Sequence, residues 1–379
     1  MATVTALQYY GRKDVRLEQV PSLPCGPDEV RLQIAYCGIC GSDIHEYLGG
    51  PIFPPKAGEK HPWTGHQLPV TLGHEMSGTI VEVGSGVSDP KLQVGARVAV
   101  NPAWTDRHYG LEPCTACELG MSNICKRYAS YGLSAAGGGL ATEIVVKHLS
   151  CIPLPDSVSL KVGALMEPLA VAWHCIRTSG FQKGQTALIL GAGPIGLAIL
   201  MLLRVWGAKT VVISEPTASR KRMANDFGAD LVVDPTRFTA PKNGPDPVVI
   251  ATQGAVHADG VDVAFDATGI QTTLDTAIAA VRPGGTVFNV AIHEKPLMIN
   301  LNDLTLSERR LMGGICYTQD DFRDLLQALQ KGGIPAEKLI TSVVDLDDVV
   351  EKGLLELIRN KAAHVKILIT PNRVRSVRL

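Results

Sequence analysis

The chain is poor in aromatics, poor in charge and close to electrically neutral. Phe, Trp and Tyr together make up 5% of its residues, charged residues 19%, and the formal net charge is −1. A balance so near zero gives no electrostatic reason to expect nucleic acid or an anionic membrane surface as a partner. The opening MATVTALQYYGRKDVRLE lacks a basic segment followed by a long apolar core, so no secretory signal is expected there. An uninterrupted membrane span is missing too. The longest uncharged apolar run, 187–203, is broken by Gly191, Gly193, Pro194 and Gly196, and a strand, a turn and a buried helix explain it better. Finally, there is no secreted disulfide framework. The nine cysteines are odd in number and several stand at metal-ligand spacing, which favours a reducing compartment, the cytoplasm.

What is present is an ordinary globular composition, 45% apolar over 379 residues, more than one hydrophobic core usually holds. Two domains are therefore expected. Up to about Glu167 the chain is rich in Gly, Pro and short β-branched runs such as GTIVEVGSGV, GARVAV and TEIVVK, the pattern of an irregular, barrel-like β domain. From Gln185 the pattern changes. TALILGAG, TVVISE, LVVD, VDVAFDATG and GGTVFNVAI read as buried strands, with helical segments such as SRKRMANDFG and TTLDTAIAAV between them. That alternation predicts an α/β domain with a doubly wound parallel sheet.

The first strand of that alternation runs into Gly191-Ala192-Gly193-Pro194-Ile195-Gly196 and a helix follows, the setting in which a GxGxxG pattern carries weight. Gly191 would allow the tight turn, Gly193 the approach of a pyrophosphate and Gly196 close packing of helix on sheet. The second strand leads into Glu215, placed to accept from the adenosine ribose hydroxyls and to repel the extra phosphate of NADP; NAD is the expected cofactor. Arg220 either flanks the adenosine, pairs with Glu215, or is a solvated helix position.

Cys40, His74 and Glu167 offer one soft, one borderline and one hard donor, a mixture that suits a catalytic zinc ion with an exchangeable position. Spacing does not show that they converge. Singly, each has a plainer reading: a small buried hydrophobe, a satisfied polar group and a helix charge. Cys114, Cys117 and Cys125 form a second group at metal-like spacing, but three thiolates need a further ligand. Asp106, His108 and Glu112 are open candidates, as is a lobe of free thiols without metal. Gly49 to Pro69 is a long loop, containing His61, Trp63 and His66, that fits a substrate rim, a subunit contact or a Pro-rich surface excursion.

GICGSDIH, the Gly-His-Glu of LGHEMSGTIVEVG, Glu167-Pro168 in EPLAVAWH, GAGPIGL and the closing HVKILITPN together resemble the zinc-dependent medium-chain dehydrogenase/reductases. The polyol branch, and within it the fungal 2,3-butanediol dehydrogenases whose pattern HEYLGGPIF also matches, is the nearest resemblance, and it covers nearly the whole chain. It implies a GroES-like catalytic domain, 1–167 completed by 318–379, and a Rossmann domain, 168–317. It also implies catalytic zinc on Cys40, His74 and Glu167, with Glu75 as alternating ligand or neighbour. Ser42 and His45 would relay the alcohol proton by way of the cofactor ribose. Leu111 stands where the family's structural zinc lobe has a fourth cysteine, which leaves the Cys114, Cys117 and Cys125 site in doubt. The implied reaction is hydride transfer between NAD and a secondary alcohol, a vicinal diol and its hydroxy-ketone, by a homo-oligomer. A polyol or biosynthetic-pathway alcohol dehydrogenase, a zinc-free NADPH quinone or enoyl reductase, and a non-enzymatic nucleotide-binding protein are the rivals.

Overall fold

The computed structural model describes residues 2–237, 246–293 and 295–371. Its contacts divide the chain into two compact units: Met1–Glu167 with Thr318–Lys331 and Ala336–Leu379, and Pro168–Tyr317 with Gly332–Pro335. Of the expected third segment, 318–379, residues 372–379 lie outside the described residues.

The first unit is β-rich. Its hub is the strand Glu29–Gly38, whose alternating apolar positions Val30, Leu32 and Ile34 are fully buried. It pairs antiparallel with Glu75–Val83 on one side, and with Glu143–Lys147 and the C-terminal strand Lys366–Thr370 on the other. Leu7, Tyr9, Met76, Ile80, Val98, Ile367 and Ile369 close over this sheet as one core. The register has a direct consequence for function. Gly38 faces Glu75 across one ladder and Leu368 across the other, so the end of one strand, the start of a second and the middle of a third meet at one point. Cys40 follows Gly38, His74 precedes Glu75, and Lys366 opens the third strand. Residues hundreds apart in sequence are thereby set side by side.

The second unit is the expected parallel sheet of six strands. Its order is Leu231–Val233, Thr210–Ser214, Thr186–Leu190, Val261–Asp266, Val281–Asn289 and Arg310–Gly313. The order reverses between Thr186–Leu190 and Val261–Asp266, the switch point at which open α/β sheets bind ligands. Thr186–Leu190 is a buried apolar strand and pairs parallel on both sides. The helix that follows, Pro194–Val205, buries every residue from Gly196 to Leu203, as a helix covered by its own sheet should. Among the described residues no helix is long and apolar enough to cross a membrane.

Candidate active site and metal centres

The helix Gly41–Gly49 starts at Cys40, which occupies the N-cap, and Asp43 accepts from the Cys40 amide at 2.9 Å. The positive end of that helix thus lies at the sulfur, a favourable place for an anionic ligand. Ser42, half-buried, lies 3.0 Å through Oγ from Nε2 of His74. The charges of Cys40 and of Glu167, near the middle of the helix Leu160–Thr178, act on the same imidazole. Burial lowers the His74 pKa, but Asp43 and Cys40 more than offset it and hold the imidazole well above its ordinary value. The thiol and the carboxylate are therefore near enough for the charges of both to act on His74.

Two residues that sequence reasoning passed over complete this centre. Asp43 is fully buried, and its Oδ1 lies 3.7 Å from His74 Nδ1; neither atom has a hydrogen-bond partner. A carboxylate behind the imidazole is the usual device for fixing a metal-bound histidine, leaving the other nitrogen for the ion. The orphaned pair on the Nδ1 side, with Ser42 on the Nε2 side, fits that role. Lys366 is the second. Its ammonium lies 2.6 and 2.7 Å from the two oxygens of Glu75 and donates to the Ile39 carbonyl at 3.1 Å. Burial pulls the lysine pKa down, yet Glu75 and Cys40 leave it raised. Glu75 is thus placed on Lys366, beside the ligand set. Asp43 sits within the GSDIH motif and could have been flagged as a buried acid at N3. Lys366 has no local signal at all.

His45 lies one helical turn beyond Ser42 on the same face and is exposed. The Gly49–Pro69 loop is tied back onto the unit by Thr64, which donates to the Ser134 carbonyl at 2.7 Å, and by Trp63, whose ring lies 5.0 Å under the Arg127 guanidinium.

The second cysteine group is tighter. The ligand atoms of Asp106, Cys114, Cys117 and Cys125 all lie within 4.8 Å of one another. Of the three open candidates, the structure brings in Asp106. His108 is engaged elsewhere: Nδ1 accepts from the Thr105 amide at 3.1 Å, and Nε2 lies 3.2 Å from the Ser150 hydroxyl. Glu112 is exposed. Asp106 itself is buried, receives the Cys114 amide at 2.7 Å and pairs with Arg127 at 2.5 Å.

In the second unit Gly191 has φ +96°, and a Cβ on Gly196 would stand 1.9 Å from the Gly191 carbonyl oxygen, so the turn and the helix contact both require glycine. A Cβ on Gly193 would meet nothing within 4 Å: this is open space at the uncapped start of the helix Pro194–Val205. Pro194 stands at the first helical position and Ile195 follows it, so this end has free N–H groups suited to a phosphate. Glu215 is buried at the end of the strand Thr210–Ser214. Its two oxygens accept from the amides of Ala192 and Thr217, at 2.8 Å each. Each oxygen keeps a second lone pair for a ribose hydroxyl. Arg220 lies on the next helix, Ala218–Asp226, half-buried.

Residues 26–156 match the alcohol dehydrogenase GroES-like domain and residues 194–331 the zinc-binding dehydrogenase family. Over 97% of its length the chain is 40% identical to a probable diacetyl reductase [(R)-acetoin forming] of Saccharomyces cerevisiae, covering 90% of that protein. It is 39% identical to the (R,R)-butanediol dehydrogenase of the same yeast, covering 97% of this chain and 98% of the relative. The crystal structure of 2R,3R-butanediol dehydrogenase from Bacillus subtilis superposes with a TM-score of 0.88 at 36% identity, over 97% of this chain and 100% of the other. With both of its units matched in the same order, the chain belongs to the zinc-type alcohol dehydrogenases, the medium-chain dehydrogenase/reductases with a GroES-like and a Rossmann domain.

Proposed function

We propose that the protein is a zinc- and NAD-dependent secondary-alcohol dehydrogenase that interconverts a vicinal diol and its hydroxy-ketone, with 2,3-butanediol and acetoin as the pair its relatives support. The observation that carries this reading is the Ser42 hydroxyl 3.0 Å from His74 Nε2, with the charges of Cys40 and Glu167 acting on the same imidazole. Cys40, His74 and Glu167 would hold zinc, and Gly191, Gly193, Gly196 and Glu215 would hold NAD; bound, the ion supplies Lewis acidity toward the substrate oxygen and the nicotinamide exchanges the hydride.

The side chains then have definite tasks. A carbinol cannot lose hydride unless its hydroxyl also loses a proton, and a dehydrated site offers no water to take it. Ser42, half-buried beside His74, accepts that proton as it gives up its own. His45, exposed on the same helical face, takes the released proton toward solvent, a task suited to an imidazole. In the reducing direction the route runs backward. Asp43 keeps the His74 ring oriented, and Lys366 neutralises Glu75. Glu215, a buried carboxylate where a 2′-phosphate would fall, supports NAD over NADP.

The reading extends to a homo-oligomer located in the cytoplasm. The exposed edge strand Arg310–Gly313 supports the first, and nine cysteines without a disulfide support the second. One kinetic panel tests the activity: 2,3-butanediol, acetoin, sorbitol, xylitol and simple primary alcohols, each with both nicotinamide cofactors. The diol and acetoin should turn over with NAD, and a metal chelator should abolish the rate. Turnover confined to primary alcohols, or a chelator-resistant NADPH activity, would remove the proposal.

A further inference from the structure

The helix Gly41–Gly49 carries another carboxylate that this chemistry leaves unused. Glu46 is fully buried. Its Oε2 accepts from the Ile52 amide at 2.8 Å and its Oε1 from the Phe53 amide at 2.9 Å. Its own carbonyl accepts from the Gly50 amide at 2.9 Å and from the Tyr9 hydroxyl at 3.0 Å. A Cβ at Gly50 would stand 2.2 Å from Glu46 Oε2 and 2.6 Å from the Tyr9 oxygen, so the turn is pressed against the carboxylate with no room between them. Taking a carboxylate out of water is costly unless its oxygens are satisfied, and here they are satisfied by one short stretch of main chain.

What is held this way is notable for its side chains. Ile52 and Phe53 remain 55% and 40% exposed although their backbone is fixed. Two large apolar groups kept in solvent on a rigid backbone gain nothing for the core; they suit contact with something apolar that comes and goes. Their place is also defined. Glu46 directly follows the relay residue His45, and it is close enough to Asp43 and His74 for their charges to act on it. The held turn is therefore a neighbour of the ligand set, inside the same unit.

We propose that Glu46 is a positioning residue of the alcohol site, bolting down the Gly50–Phe53 turn so that Ile52 and Phe53 form the apolar wall against which the alkyl end of a small secondary alcohol packs. The inference rests on the secondary-alcohol reading and adds to it the element that limits substrate size. A wall of fixed position accepts a methyl group and rejects a longer chain, a discrimination of about 10-fold per added methylene.

The test uses the full-length enzyme and a series of 2,3-diols of increasing chain length, with kcat and KM measured separately for diol and for NAD. Glu46→Gln keeps the size of the side chain but turns an NH2 group toward one of the two amides. It should raise KM for 2,3-butanediol about 10-fold while kcat and the KM for NAD stay within about 2-fold, and flatten the chain-length preference. Ile52→Ala and Phe53→Ala, at exposed positions that the fold does not depend on, should flatten the same preference. They decide the matter even if the Glu46 variant is unstable. Wild-type chain-length selectivity in both alanine variants overturns the proposal, as does a Glu46→Gln enzyme altered only in melting temperature. A wild-type enzyme that turns over no secondary alcohol overturns the parent reading and this one with it. Turnover with unaltered selectivity overturns this one alone.

Discussion

At the residue scale the centre is a problem of buried charge. Glu75 and Lys366 form an ion pair whose side chains are 0% and 4% exposed, next to a histidine that already has Asp43 behind it. Such a pair adds little net stability, but removing one partner strands the other, at a cost of about 3–5 kcal/mol. Lys366→Met should therefore lower unfolding stability by about that amount, and Lys366→Met with Glu75→Gln should recover much of it. Chemical denaturation of the two variants and the wild type measures this; a single variant as stable as the double would show that Glu75 does not depend on the lysine. The same comparison explains what the sequence could not reveal. Ser42, His45 and His74 lie in short glycine-flanked motifs, and a motif fixes local geometry. Lys366 is 291 residues from Glu75 and sits in a strand buried at every position. Only the antiparallel register of Lys366–Thr370 on Glu29–Gly38 makes them neighbours, and register is a tertiary fact.

At the scale of the element, the cysteine lobe shows how a turn chooses a ligand. Asp106 and His108 belong to one 3-10 turn, Asp106–Tyr109, and Glu112 lies just beyond it, so all three precede Cys114 by a short stretch of chain and Asp106 is the farthest of them. The tight turn separates them: it folds His108 back onto Thr105 and sends the Asp106 carboxylate inward to the Cys114 amide. Burial acts to raise the Asp106 pKa, but that amide and the Arg127 guanidinium hold it far below the usual carboxylate range, so it is an anion among three thiols. With zinc bound the three thiols would be thiolates, the divalent ion would offset much of their charge and that of Asp106, and three sulfurs with one oxygen are an acceptable tetrahedral set for zinc. The purified enzyme should contain two zinc ions per chain, and Asp106→Ala should contain one while still binding NAD. Metal quantitation by mass spectrometry checks both; a wild-type count of one would leave the lobe a set of free thiols.

At the scale of the whole molecule, the parallel sheet was the most legible feature. Buried strands flanked by helices announce themselves by unbroken apolar runs such as TALIL and VDVAFD, and their alternation with helices leaves few topologies open. Its last strand is different. Among the described residues Arg310–Gly313 pairs on one side only, with Val281–Asn289, and all four of its residues are exposed. Leu311 and Met312 are each 37% exposed, and the chain leading to them exposes Met298 at 82%, Leu301 at 68% and Leu306 at 84%. An uncovered apolar edge invites another strand, and proteins that keep one have something to put on it. The commonest solution is a second copy turned about a twofold axis, which sets the edge antiparallel to itself and continues the sheet. Sedimentation of the wild-type enzyme should give at least a dimer. The pair of substitutions Leu311→Glu and Met312→Glu puts like charges from both copies face to face at the axis and should yield monomers with native circular dichroism. Monomeric wild type, or a doubly substituted protein that sediments unchanged, would place the subunit contact elsewhere.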